Sequence, residues 1–182
     1  MSWFRSAIQE ELPKIIVETG TYLGDGVSSY IGYFDKIYSI ELSEKYCQMA
    51  KAKFKSDSSI EIIQGDSAQI LRTDIFPHEP ILFYLDAHFA GGETSDNGCP
   101  LIEELEAIVA RKVPGDVIVI DDMRLMGKAD WAGTDGDDVY PRTFFDFTDI
   151  TETKIREIIG SGYTIVDDRL IMKMGPVCTR KI

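Results

Sequence analysis

Short runs of β-branched and aromatic residues alternate with amphipathic segments along this chain, and that alternation constrains the fold more than any other feature. Lys14-Ile15-Ile16-Val17 reads as a first strand, followed by a Gly-containing turn and a predicted helix from Gly26 to Phe34. Lys36 to Ile40 is a second strand, its apolar content suited to burial on both faces of a parallel sheet. Ser43 can cap the next helix, whose stripe is Tyr46, Met49, Ala50 and Phe54. Ile60 to Ile63 is a third strand, Ser67 to Ile75 a short helix and Ile81 to Leu85 a fourth strand. Pro100 opens a helix running to about Lys112, and Pro114-Gly115 turns into a fifth strand, Val117 to Ile120. Met123 to about Phe147 reads as a long irregular stretch. Ile155, Ile158 and Ile159 mark a late helix, and strands Tyr163 to Val166 and Leu170 to Met174 flank the turn Asp167-Asp168-Arg169. Right-handed crossovers make this an α/β, Rossmann-like, doubly wound seven-stranded sheet, mostly parallel with a C-terminal antiparallel hairpin. Residues 1–182 form one domain in this reading, since 182 residues suit a single core.

Charge narrows the partners. There are 31 Asp+Glu against 19 Lys+Arg, a net charge of −12, and no basic cluster to replace counterions on a nucleic acid. A small-molecule or glycan acceptor fits better. Apolar runs such as Val117 to Ile120 are too short to span a membrane, and Met1 to Ser6 lack the features of a signal peptide, so a cytoplasmic protein is expected. Cys47, Cys99 and Cys178 are widely spaced and read as reduced thiols. Trp3 and Phe4, with Ala7, Ile8 and Leu12, recur at helical spacing and would offer a self-contact for a homodimer.

Ligands of such sheets bind at the carboxyl ends of the strands, near the reversal of strand order. Strand one ends at Glu18-Thr19-Gly20, with Gly24 and Gly26 following, and glycine allows a tight turn and close backbone approach. Strand two ends at Glu41, 21 residues after Gly20, where an acid can accept both hydroxyl protons of a ribose. Strand three ends at Gln64-Gly65-Asp66-Ser67, where a carboxylate can accept from an adenine amino group or cap the next helix. Three ligand-type residues at successive strand ends indicate a nucleoside cofactor.

Glu18-Thr19-Gly20-Thr21-Tyr22-Leu23-Gly24, Ser39-Ile40-Glu41-Leu42 and Gln64-Gly65-Asp66-Ser67 resemble the successive cofactor motifs of class I S-adenosylmethionine-dependent methyltransferases. The likeness covers residues 14 to 122, and Tyr22 departs from it by standing where a middle glycine is usual. The resemblance implies S-adenosyl-L-methionine as cofactor. Glu18 and Gly20 would lie near its methionine portion, Glu41 would hold its ribose and Asp66 would face its adenine, with Thr19, Thr21, Tyr22, Gly24, Leu42, Gly65 and Ser67 as further cofactor-binding residues.

Strand four ends in Leu85-Asp86-Ala87-His88 and strand five in Ile120-Asp121-Asp122, neighbouring ends in a parallel sheet. Carboxylates so placed must share a proton or a cation, and hard oxygen ligands suit Mg²⁺ or a similar divalent ion. The pattern is similar to metal-dependent O-methyltransferases of the catechol type and the macrocin and novobiocin sugar type. That resemblance implies Asp86, Asp121 and Asp122 as metal ligands and Asp86 also beside the cofactor. It leaves either Asp86 or His88 as the general base. Arg124 and Trp131, with His88, are the acceptor-binding candidates, and Tyr140 and Arg142 offer further groups. Transfer of a methyl group to a sugar or glycan hydroxyl is the implied reaction. Two other readings stay open: an NAD-dependent oxidoreductase, although Gly20, Gly24 and Gly26 do not form a G-x-G-x-x-G turn, and a noncatalytic nucleoside-cofactor-binding module.

Overall fold

The computed structural model describes residues 12–88, 98–132 and 142–175. Nine strands are assigned among them: β1 (Ile15–Thr19), β2 (Lys36–Glu41), β3 (Ile60–Gln64), β4 (Ile81–Leu85), β5 (Val117–Ile120), β6 (Ala129–Ala132), β7 (Thr143–Asp146), β8 (Tyr163–Val166) and β9 (Arg169–Lys173). The helices are α1 (Asp25–Tyr30), α2 (Glu44–Phe54), α3 (Ser67–Ile70), α4 (Leu101–Arg111) and α5 (Glu152–Ile159). Seven strands form one sheet in the order β3-β2-β1-β4-β5-β9-β8, parallel except at β9, which runs antiparallel to both β5 and β8. This is the α/β doubly wound sheet expected, with strand order reversing between β1 and β4.

Every residue of β1, β4 and β5 is buried. Alternate side chains feed two apolar layers, as the two-residue period of a strand requires. Val17, Phe83, Leu85, Ile118 and Ile120 pack with Leu105 and Ile108 of α4 and Ile155 and Ile159 of α5. Ile16, Ile37, Leu82, Tyr84 and Val119 pack with Val27 and Tyr30 of α1 and Cys47, Ala50 and Phe54 of α2. The hairpin turn at Asp167 and Asp168 has φ values of 48° and 67°, the paired left-handed residues of a type I′ turn.

Some boundaries differ from expectation. α1 stops at Tyr30 rather than Phe34, because Ser28 and Ser29 turn their hydroxyls onto backbone carbonyls and Gly32 adopts φ +80°. α3 is one turn, not a helix to Ile75. The stretch expected to be irregular contains a 3₁₀ turn, Met123–Leu125, and an antiparallel pair, β6 with β7. Phe145 and Phe147 turn inward at strand spacing and join the core, while Trp131 and Phe144 face each other on the exposed side. That inward anchor orders the hairpin. The N-terminal segment with Trp3 and Phe4, Tyr140, Cys178 and most of the 90–99 loop lie outside the described residues. Cys47 and Cys99 are free thiols. Among the described residues no helix is long and apolar enough to cross a membrane.

Candidate active site

The carboxyl ends of β3, β2, β1, β4 and β5 lie side by side, and backbone hydrogen bonds extend the ladders past the strands into the loops. Gly65 N–H donates to Glu41, Gly20 to Ile40, Asp86 to Thr19 and Asp121 to Leu85, at 2.9 to 3.2 Å. Gly65, Glu41, Gly20, Thr19, Asp86 and Asp121 therefore sit along one continuous rim.

The first loop depends on glycine geometry. Gly20 has φ +86°, and a Cβ there would lie 2.6 Å from the backbone oxygen of Asp86. The close approach that demands glycine is thus between the loop and the end of β4. Tyr22 takes φ +46°, the left-handed conformation that suits the glycine usual at this place in the resembling family. Its N–H donates to Glu41 Oε2 at 2.7 Å, and its ring packs on Tyr46 at 4.6 Å between centroids. Those contacts offset the strain. Gly24 also sits at positive φ, with Phe54 against its α-carbon.

Glu18 is buried behind the loop. Ser39 Oγ donates to its Oε2 at 2.6 Å, the Tyr30 hydroxyl also donates to it, and Thr21 Oγ1 lies 2.7 Å from Ser39 Oγ. Burial outweighs these hydrogen bonds and pushes its carboxyl up to about 8. Glu41 is buried too, each oxygen accepting one backbone N–H, from Tyr22 and from Ser43 at 2.8 Å. One lone pair per oxygen remains for a diol. Leu42 beside it is exposed. Asp66 caps α3: its Oδ1 accepts from Gln69 N at 3.1 Å and its Oδ2 from Gln69 Nε2 at 3.4 Å. Ser67, next to it, is buried.

At the ends of β4 and β5, His88 lies between two carboxylates. Nδ1 is 3.4 Å from Asp86 Oδ1 and Nε2 is 3.0 Å from Asp122 Oδ2. Burial alone would depress the imidazole, but the Asp122 hydrogen bond and the charges of Asp86, Asp122 and Asp121 raise it above its ordinary range. Burial, with Asp121 and Asp122 adding to it and His88 opposing it, pushes Asp86 up to about 7. Asp122 is held below the usual carboxylate range despite burial, by His88 and Arg124. Among the described residues, Asp86, His88 and Asp122 bring ligand atoms within 4.8 Å of one another.

Asp121 faces other partners. It accepts from the Tyr84 hydroxyl, and Arg169 reaches it through Nη2 at 3.2 Å while donating from Nε to Tyr84 Oη at 3.1 Å. Arg124 bridges Asp122 and Asp168 across the base of the hairpin turn. Phe147 packs edge-on to His88 at 6.1 Å, whereas Trp131 is 56% exposed, with the Arg142 guanidinium 5.2 Å from its ring. The sequence reading did not single out Tyr84, Arg169 or Glu104. For Glu104 a signal existed, an acid on the apolar stripe of α4 between Leu101 and Leu105.

No protein-family model matches the chain, and no curated protein matches it. Solved structures do. A candidate O-methyltransferase from Klebsiella pneumoniae aligns over 96% of this chain and 77% of its own, with a TM-score of 0.59 at 17% identity. The N-methyltransferase NodS from Bradyrhizobium japonicum, in complex with S-adenosyl-L-homocysteine, aligns over 93% and 81%, with a TM-score of 0.55 at 14% identity. CalS10, an amino pentose methyltransferase from Micromonospora echinaspora with S-adenosylmethionine bound, aligns over 93% and 86%, with a TM-score of 0.52 at 13% identity. The chain has the Rossmann-like fold of class I S-adenosylmethionine-dependent methyltransferases.

Proposed function

We propose that this protein is an S-adenosylmethionine-dependent O-methyltransferase acting on a hydroxyl of a sugar or glycan, assisted by a divalent cation. The observation that carries the reading is the junction of Gly20 with Asp86. It joins a nucleoside-type cradle (Glu18, Gly20, Glu41, Asp66) directly to a titratable cluster (Asp86, His88, Asp122). A cofactor placed along the first three strand ends would present its reactive end to that cluster.

The residues fit S-adenosylmethionine. Glu41 keeps one lone pair on each oxygen for the ribose hydroxyls, and Asp86 offers an acidic group toward a cationic amino acid end, while the buried, protonated Glu18 braces the loop from behind. When bound, the cofactor supplies an electrophilic methyl group on a sulfonium and leaves as the neutral thioether. Without an ion in the cluster, Asp86, its carboxyl raised to about 7, would take the proton of the acceptor hydroxyl as the oxygen attacks the methyl group. His88, clamped as a cation between two carboxylates, holds Asp86 and Asp122 in place.

The cluster also fits a divalent ion by its donor chemistry: Asp86 and Asp122 would supply hard oxygens, and His88, on giving up its second proton to the incoming ion, an imidazole nitrogen. Such an ion would lower the pKa of an acceptor hydroxyl. Asp121, expected from the sequence as a third ligand, serves here as the counter-ion of Arg169. Trp131 and Phe144 support a carbohydrate acceptor, because their exposed rings suit stacking of sugar C–H faces, and Arg124 supplies a cation beside Asp122.

A panel of sugars, glycans and phenols offered with S-adenosylmethionine labelled in its methyl group tests the reading. Label should enter a hydroxyl-bearing sugar, disappear with a chelator and return with Mg²⁺. Incorporation into none of them, together with no calorimetric binding of S-adenosylhomocysteine, would defeat it. Full activity in the chelator would remove the cation alone.

A further inference from the structure

Among the described residues, one buried side-chain oxygen is left without any hydrogen bond, and it belongs to Glu104. α4 turns Leu101, Leu105 and Ile108 toward the sheet, and Glu104 lies on that stripe at 1% exposure. A carboxyl in that position must find donors. The hydroxyls of Thr19 and Ser67 supply two. Thr19 Oγ1 in turn accepts the Asp86 N–H at 3.3 Å, which leaves its proton to donate. Oε1 of Glu104 stays buried and unpartnered.

The two hydroxyls fix where this acid sits. Thr19 precedes Gly20 and Ser67 follows Asp66, so Glu104 bridges the ends of β1 and β3 beneath the cradle. Asp66 is close enough to act on it electrostatically. Asp66 itself, the acceptor expected for adenine, already accepts from Gln69 at both oxygens and keeps one lone pair on each, whereas Oε1 of Glu104 has neither of its lone pairs in use. We infer that Glu104 is the residue that reads the purine, its Oε1 accepting a hydrogen bond from the 6-amino group of the nucleoside. This rests on the nucleoside-cofactor reading above.

A carboxylate oxygen only accepts, so it rewards a 6-amino purine and repels a 6-oxo purine. Glutamine at this position reverses the sense. Its oxygen takes the Thr19 and Ser67 hydroxyls, and its amide N–H₂ occupies the place of Oε1. The variant should then favour the oxo group.

The test is calorimetric titration of the full chain at pH 8.5, above the value of about 7 to which burial lifts the Glu104 carboxyl. S-adenosylhomocysteine, S-inosylhomocysteine and the 6-deamino analogue are the ligands. The wild-type protein should prefer the adenosyl ligand over the other two by about tenfold or more, and Glu104→Gln should abolish or invert the adenosyl-over-inosyl preference. An unchanged preference in Glu104→Gln, with a native melting transition, overturns the inference. So does a preference that survives in Glu104→Gln and collapses in Asp66→Asn. If Glu104→Gln does not fold, the wild-type protein decides: equal affinity for the adenosyl and 6-deamino ligands overturns the inference, and a tenfold gap supports it. Failure of the wild-type protein to bind any of the three strikes the cofactor reading itself, a result distinct from the others.

Discussion

Replacing Glu18 by glutamine should make the protein less sensitive to alkaline pH. Glu18 is 3% exposed, its carboxyl accepts from Ser39 and Tyr30, and a Cβ added to Gly26 would meet its Oε1. Burial lifts it from 4.5 to about 8. Between those values the folded protein keeps a proton that the unfolded chain releases. The stability due to the neutral group is therefore fully present below 4.5 and is lost as pH rises through about 8. A shift of roughly 3.5 units, at about 1.36 kcal/mol each, bounds the loss at about 5 kcal/mol. Glu104 and Asp86, each raised to about 7, add losses of the same sign in the same window. The variant isolates one contribution, because glutamine keeps the shape and never ionises. Urea unfolding of both proteins at pH 5, 7 and 9 gives the difference directly. Glu18→Gln should gain on the wild-type protein by several kcal/mol across that range. Parallel stability curves would refute the argument, since they would mean that Glu18 ionises in the fold as easily as in the open chain.

Gly20→Ala should cost about 1–2 kcal/mol from the left-handed backbone alone, and more from the Cβ driven against the Asp86 carbonyl. A lowered melting temperature with at least tenfold weaker S-adenosylhomocysteine binding is expected; unchanged values of both would show that the loop and β4 do not meet as described. Arg169→Met leaves Asp121 without its guanidinium at a site where the acid is 13% exposed, a loss of about 3–5 kcal/mol. Adding Asp121→Asn should recover most of it in a double-mutant cycle by urea unfolding, and additive losses would deny the pairing.

The central strands were legible because burial on both faces writes a continuous apolar run into the local sequence, as in Ile81–Leu85 and Val117–Ile120. The rim was legible for a related reason. In a parallel sheet the residue after each strand must lie at the same edge, so Glu18, Glu41, Asp66, Asp86 and Asp122 could be assigned there from strand ends alone. The β6–β7 hairpin was not, because its only strong signal is the inward pair Phe145 and Phe147, and what they pack against comes from other parts of the chain.

Local periodicity and the handedness of crossovers are enough to say which elements form and which edge gathers the acids. What each acid does depends on the assembled fold. Asp121 and Asp122 are adjacent and chemically identical, yet one is taken by Arg169 and Tyr84 and the other meets His88 and Arg124. Glu104 is one of three acids on α4, and burial beside Thr19 and Ser67 sets it apart. The reason is physical: a carboxylate's charge state and partners depend on desolvation and on donors brought from far along the chain, and those exist only once the sheet is assembled.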